Sequence, residues 1–426
     1  MKRFTTKATA LNAAALGLLL LAITLPARGK EKAALKLEEA ITIAVQAHPS
    51  VIGAKAALMA AKAKPGQVSA WDDPVFTLMT GIPFNTPLDP PLMDMKITQK
   101  FPLSPVYSYK KQAALAQAEA ASTKIPAAQL DVSMAVALAY YEIVFLEELR
   151  DVVEKELELA ANIVEATALR FSSLSGNQAD IIRAQISRDE IETSLEVVKL
   201  DIRAARQVLV LLLRDERDPD SFSVLTPGYP AVTLGMDELT RLAVAQRPEL
   251  AYFDSKAVEY AKQEKAAKAG YAPQLAVSAG YQYKSDTLAG LMGQDAFALG
   301  FAINLPIQAK KHKSAVEESK ALGIANEASK SGAILTIEMR LVEIRFALKS
   351  MEEKIALQED KVIPKARAAL DLTLAAYAAQ NAGITDVLTA FEKFLAADRK
   401  RSMLRGMYFA SYALLQREIG TFSKPL

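Results

Sequence analysis

LEEAITIAVQAHP at residues 37–49 and MDELTRLAVAQRP at residues 236–248 decide how this chain is read, because they are one segment written twice. At an offset of 199, residues 35–81 align with 234–280 without a gap: His48-Pro49 falls on Arg247-Pro248, Pro74 on Pro273 and Gly81 on Gly280. Five additional residues in the second copy then bring Phe101-Pro102-Leu103 onto Leu305-Pro306-Ile307. Near the end of each copy, Phe171 with Asp180 matches Tyr377 with Asp386, nine positions apart in both. Two copies are too few for a stacked solenoid, which needs three or more. The pattern is an internal duplication, with a first repeat over 30–214 and a second over 232–426. The linker between them, 215–231, is rich in Asp, Pro, Gly and Ser.

Each repeat predicts the same order: helix, two short strands, a very long helix, a break, and another long helix. The opening helix runs from Leu37 to Ala47, stops before Pro49 and restarts to about Ala70; its counterpart covers Met236 to Gln246, then Glu249 to about Ala269. Strands are expected at about 75–82, 92–101, 274–284 and 296–305. In them Met93, Met95 and Ile97 alternate with Asp94, Lys96 and Thr98; Leu275, Val277 and Tyr281 with Ala276, Ser278 and Gln282; and Phe297, Leu299 and Phe301 with Ala298, Gly300 and Ala302. Period two marks strands with one apolar and one polar or small face. Residues 104–170 carry no glycine, and a helix of that length runs about 100 Å. Past the break, Ala184, Arg188, Ile191, Leu195, Val198, Ile202, Ala205, Leu209 and Leu212 step by four and three, the spacing of a coiled-coil seam.

Composition narrows the function. The 426 residues include about 75 alanines, no cysteine, two histidines and a net charge of +2. Zero cysteines exclude disulfides, thiolate metal sites and thiol nucleophiles. His48 and His312 are too far apart in sequence to suggest a histidine-rich metal site or triad. Charge near zero gives no reason to expect nucleic acid as a partner. No Gly-x-Ser-x-Gly elbow, phosphate-binding loop or cluster of metal ligands is present, so no catalytic, cofactor or metal residues are assigned and an enzyme is not expected.

Met1 to Lys7 carries Lys2, Arg3 and Lys7; an apolar run from Ala8 to Leu25 follows, then Pro26-Ala27-Arg28-Gly29. This is the layout of a secretory signal peptide, predicted to be residues 1–29 with cleavage after Gly29. Its four basic residues account for the positive charge, and the exported remainder is slightly acidic. Later apolar runs, such as the six residues from Val208 to Leu213, fall short of the ~18 that span a bilayer. No transmembrane helix is expected past the signal.

Four amphipathic strands of about ten residues have the length of outer-membrane barrel strands. Lysine facing lipid at mid-bilayer costs ~2–4 kcal/mol, so Lys96 and Lys284 are placed in a lumen and the Met, Leu, Phe and Tyr rows against lipid. Four strands cannot close a barrel, since small barrels have about eight. Several chains sharing one barrel resolve this. Trp71, Tyr107, Tyr109 and Tyr271 lie just outside strand ends and read as a membrane-interface belt.

These features resemble the outer-membrane efflux protein family, the TolC-like channels. The repeat openings ending in His48-Pro49 and Arg247-Pro248 look like the family's repeat starts. Trp71-Asp72-Asp73-Pro74 to Ile82-Pro83-Phe84-Asn85, and Ile97-Thr98-Gln99-Lys100-Phe101-Pro102, look like the branch paired with heavy-metal pumps. The resemblance implies a mainly α fold with a small β part. Three chains would form a 12-stranded outer-membrane β-barrel continued by an α-barrel in the periplasm. It also implies a periplasmic adaptor protein and an inner-membrane efflux pump as partners, and passive conduction, with heavy-metal cations as a preferred substrate class.

The family closes and docks its tunnel through helix-hairpin tips with a pattern like Tyr-x-x-Gly-x-x-x-x-x-Asp-Val-Leu. The matching stretches here are Phe171 to Ile182 and Tyr377 to Leu388, with Leu174 and Gln380 at the glycine position. Gly176, Asn177 and Gly383 follow, and Gly176-Asn177 and Gly383 are the natural left-handed positions for reversing a helix. Leu174, Gly176, Asn177, Gln380 and Gly383 are therefore the expected adaptor-docking tips. Asp180 and Asp386 suit helix caps, and three copies of each would ring the pore entrance with acid. Two alternatives stay open: a duct for drug efflux or type I protein secretion, and an exported coiled-coil structural protein with a soluble β-domain.

Overall fold

A computed structural model describes residues 33–81, 92–174, 176–228, 230–284 and 295–422. The expected signal segment, Ile82 to Asn85 of the family-like stretch, and the side chain of Lys284 lie outside the described residues. The first half of the chain contains β1 (Ala33–Leu35), α1 (Leu37–Ala47), α2 (Pro49–Ser69), β2 (Val75–Gly81), β3 (Leu92–Pro102), α3 (Val106–Ser122), α4 (Lys124–Ser172) and α5 (Gln178–Leu213). The second contains β4 (Phe222–Val224), α6 (Met236–Gln246), α7 (Pro248–Ala269), β5 (Gln274–Lys284), β6 (Ala296–Ile303), α8 (Ala309–Leu357), α9 (Ile363–Ala378) and α10 (Ile384–Glu418).

Proline sets the paired short helices. His48 and Arg247 are extended, as residues before proline prefer, and Pro49 and Pro248 open α2 and α7 where a missing N–H costs nothing. Proline also shapes the longest rod. Between α8 and α9, Gln358–Val362 forms a π turn just before Pro364. Proline inside an α-helix loses one N–H and crowds the carbonyl four residues back. The wider π turn absorbs that conflict and lets the rod run on. In the first half the rod breaks briefly at Thr123, between α3 and α4.

The helices make a wall of four rods. α2 packs on α3, α3 on α7 and α7 on α8 at the sheet end; α5 packs on α4, α4 on α10 and α10 on α9 at the other. The seam on α5 is buried as its spacing predicts at Ala184, Ile191, Leu195, Val198, Ile202 and Leu209, while Arg188 reaches outward to Asp189 at 2.6 Å. One expectation needs correction: a window within Val106–Ser172 reaches the mean hydropathy of a membrane span, 1.4, although half of it is buried inside this protein wall. Branched and aliphatic core residues cause this: Val132, Val136, Ile143, Val144 and Leu146 lie buried on the packing faces of α4.

Where the rods meet at mid-height, β1 and β4 pair in parallel, so Phe222–Val224 is a packed strand within the stretch joining the halves. Tyr140 of α4, almost fully buried, fastens this waist. Its hydroxyl lies 2.9 Å from the Leu35 carbonyl and 2.8 Å from that of Leu225, and accepts the Leu225 N–H at 2.9 Å. On the second half, buried Arg247 pairs with Glu418 and, at 3.0 Å, with Glu249; Arg417 binds the same Glu249 at 2.9 Å. Lower down, Arg399 of α10 grips the buried Glu156 of α4 at 2.6 Å and 2.9 Å.

Candidate functional site

Two regions carry the residues singled out by sequence: the sheet, and the two hairpin tips at the opposite end of the wall. The sheet is antiparallel in the order β2-β3-β5-β6, and its register keeps two faces distinct across all four strands. Directly opposed residues share a face. Met95 stands between Leu78 and Tyr281, Ile97 between Phe76 and Ala279, and Tyr281 faces Phe297. That face is apolar, and its outer strand is open: Phe297 is 89% exposed and Leu299 77%. Burying such a row is worth ~1.5–3 kcal/mol per large side chain, so an environment that covers it is strongly favoured.

The other face is polar or small. Lys96 stands between Thr77 and Gly280, Asp94 between Met79 and Gln282, and Thr98 between Val75 and Ser278. Lys284 opposes Leu92 in the backbone register, in phase with Gln282 and Gly280. A Cβ at Gly280 would approach the Met95 carbonyl to 3.1 Å and the Lys96 stem to 3.6 Å, so the glycine gives that lysine room to lie across the strand. Met79 departs from the polar or small character of this face, standing beside Asp94 and on the side of Lys96. The four aromatics expected at a membrane interface lie at the junction of sheet and helices. Trp71 follows α2 and meets Phe101 edge-on at 5.3 Å; Tyr107 and Tyr109 lie in the first turn of α3; Tyr271 follows α7 and packs on His312 at 4.8 Å.

At the tips the structure relocates the left-handed residues. Leu174 (φ 59) and Gln380 (φ 65) hold that conformation, whereas Gly383 has φ −88 and caps α10, and among the described residues Gly420 is the only glycine with positive φ. The expectation that Gly176-Asn177 and Gly383 reverse the helices is thus corrected. The left-handed position coincides with the family's glycine position, yet is filled here by Leu and Gln. The turn closes as a helix C-terminus normally does, with Leu174 N–H on the Phe171 carbonyl at 3.0 Å and Asn381 N–H on that of Ala376 at 2.8 Å. Gly176 answers to space instead: a Cβ there would come within 2.9 Å of the Phe171 nitrogen.

The acids occupy the first turns of the returning helices, where negative charge meets the positive end of the helix dipole. Asn177 caps α5 by accepting the Ala179 N–H at 3.1 Å, with Asp180 three residues on. Asp386 accepts the Gly383 N–H at 3.0 Å, so one oxygen serves a cap. The tips touch through a residue the sequence did not reveal. Arg170, at the end of α4, donates to the Tyr377 and Ala382 carbonyls at 3.0 and 3.3 Å and lies 4.2 Å over the Tyr377 ring. Burial, then the Asp180 carboxylate, pushes the Tyr377 hydroxyl above its ordinary pKa, with Arg170 opposing. No local motif marks Arg170, because its partners lie more than 200 positions away.

No protein-family model and no curated protein matches this sequence. Solved structures do. The outer membrane protein VceC of Vibrio cholerae is 21% identical with a TM-score of 0.73, covering 91% of this chain and 97% of its own. CusC, described with its transmembrane channel formation, is 14% identical with a TM-score of 0.77 over 91% and 92% of the two chains. The open state of the Neisseria gonorrhoeae MtrE outer membrane channel is 17% identical with a TM-score of 0.70 over 90% and 89%. Over nine-tenths of its length, the chain has the fold of these outer-membrane channels.

Proposed function

We propose that the chain is one third of a trimeric outer-membrane efflux duct that performs no bond chemistry. One observation carries the reading: the sheet and the helical wall are both four elements wide, and both end in unpaired edges. β2 and β6 bound the sheet, and the rods α2/α5 and α8/α9 bound the wall. Three copies joined edge to edge supply twelve strands, which closes a barrel with room for a lumen. The apolar face of that barrel meets lipid, the Asp94 and Lys96 face lines the passage, and Trp71, Tyr107, Tyr109 and Tyr271 mark the periplasmic water–lipid boundary. The helices extend into the periplasm. There the tips at Leu174, Gly176, Asn177, Gln380 and Gly383 dock a periplasmic adaptor, which links the duct to an inner-membrane pump.

Asp180 and Asp386 act both as first-turn acids and as entrance rings. Among the described residues no three His, Cys, Asp or Glu are grouped to hold a metal ion. Heavy-metal cations as cargo therefore rest on the resemblance of the segments around Trp71 and Ile97. The test is twofold. Membrane fractionation should find the protein in the outer membrane, and planar bilayers should show a conductance whose cation preference falls in Asp180→Ala and Asp386→Ala. Recovery in the soluble periplasm would reject the duct, and unchanged ion preference would reject the acidic rings.

A further inference from the structure

We propose that the cleft between α9 and α10 is a binding site for organic anions that carry an apolar body. The cleft is a solvent-open groove of about 770 Å³, within the range of small-molecule sites. Lys361 and Lys365 line one wall, and Lys393 and Lys400 the other. One helical turn separates the first pair and two turns the second, so each wall aims its charges to one side. Among the described residues, none of the four is ion-paired with a carboxylate. The floor between them is alanine, including Ala366, Ala390 and Ala397.

Asp386 is the one acid on the lining, and one of its oxygens already accepts the Gly383 N–H. Four cations facing one cleft repel each other unless an anion sits between them. The repeat does not demand this arrangement. At the offset of the tips, which sets Phe171 on Tyr377, the first copy keeps a lysine at Lys155 for Lys361 but has Leu159, Ser187 and Ser194 where the second has Lys365, Lys393 and Lys400. Three of the four charges were thus placed in the second copy only, while the alanine floor suits a flat apolar body rather than a bare inorganic ion.

The probe is pyranine, a trisulfonated pyrene, with ethidium as a cationic aromatic of similar size. Binding to the full chain in detergent is read by fluorescence anisotropy, independently of any conductance, so failure here leaves the duct reading untouched. Pyranine should bind and ethidium should not. The variant K361Q/K365Q/K393Q/K400Q should lose affinity by about tenfold, while the corresponding fourfold Lys→Arg variant should bind at least as tightly as the parent. Should the Gln variant fold poorly by circular dichroism, K393Q/K400Q alone should give a three- to fourfold loss. Unchanged binding in the Gln variants overturns the proposal. So does an equal loss from Lys96→Gln with Lys100→Gln on the distant sheet.

Discussion

Replacing Leu174 or Gln380 by glycine should stabilise the turn in which each sits. Both hold left-handed backbone, where a Cβ crowds the following carbonyl at a cost of ~1–2 kcal/mol. Leu174 is 96% exposed and Gln380 is exposed too, so truncation removes no buried contact that would offset the relief. Glycine brings an opposing loss of about 0.5–1 kcal/mol, because the opened turn gains backbone freedom. The balance is about 0.5–1 kcal/mol per site, which lowers the local opening constant roughly two- to fivefold. Native-state amide hydrogen exchange over peptides spanning each turn reads this directly, and it avoids a global melt, which large proteins commonly undergo irreversibly. Ser173→Gly and Ala379→Gly are the matched controls. Their φ values are −83 and −80, so glycine there should hasten exchange. If Leu174→Gly and Ser173→Gly shift exchange in the same direction by the same amount, the steric argument is wrong.

Two further expectations follow from the wall and the sheet. Burial pushes the Glu156 carboxyl up in pKa while Arg399 opposes, so Arg399→Met should destabilise the chain by about 3 kcal/mol at neutral pH, the low end for a broken buried pair because Arg399 is 36% exposed. With a raised folded pKa, the folded state holds the proton more tightly. Stability in the variant should therefore recover as pH falls from above the raised value toward the ordinary 4.5; urea unfolding with no such recovery contradicts the assignment. On the sheet, Leu299→Lys should cost ~2–4 kcal/mol per copy in lipid and abolish outer-membrane recovery. Its neighbour Ala298→Lys, on the Gly280 face, should fractionate normally, and identical behaviour of the two would refute the facing of the sheet.

The large features were legible because they recur at fixed spacing. The offset of 199 revealed both prolines that split the short helices, and alternation along β3, β5 and β6 gave faces that the register keeps. What stayed hidden depends on partners far apart or on surroundings. Leu174 and Gln380 went unnoticed as left-handed residues because glycine preference is only a ~1–2 kcal/mol bias, which flanking helices can override. β1 and β4, at three residues each, are too short for any periodicity. Arg170 over Tyr377 and Arg399 on Glu156 join positions more than 200 apart. The facing of β2 stayed hidden because it alternates poorly, with Val75 and Met79 on the face of Lys96.

The order of the elements has a consequence for ancestry. Inside the chain, β3 pairs with β5 and α4 packs on α10, which joins the first copy to the second. If β6 and the α8/α9 rod meet β2 and the α2/α5 rod of the next chain, that contact again joins a second copy to a first. The junction within a subunit and the junction between subunits are then variants of one pseudo-symmetric interface. A half-length ancestor would have closed the same ring from six identical pieces. Fusing two of them through the segment that carries β4 makes half of those junctions intramolecular, replacing a dilute encounter by a tethered one, and frees the two copies to diverge.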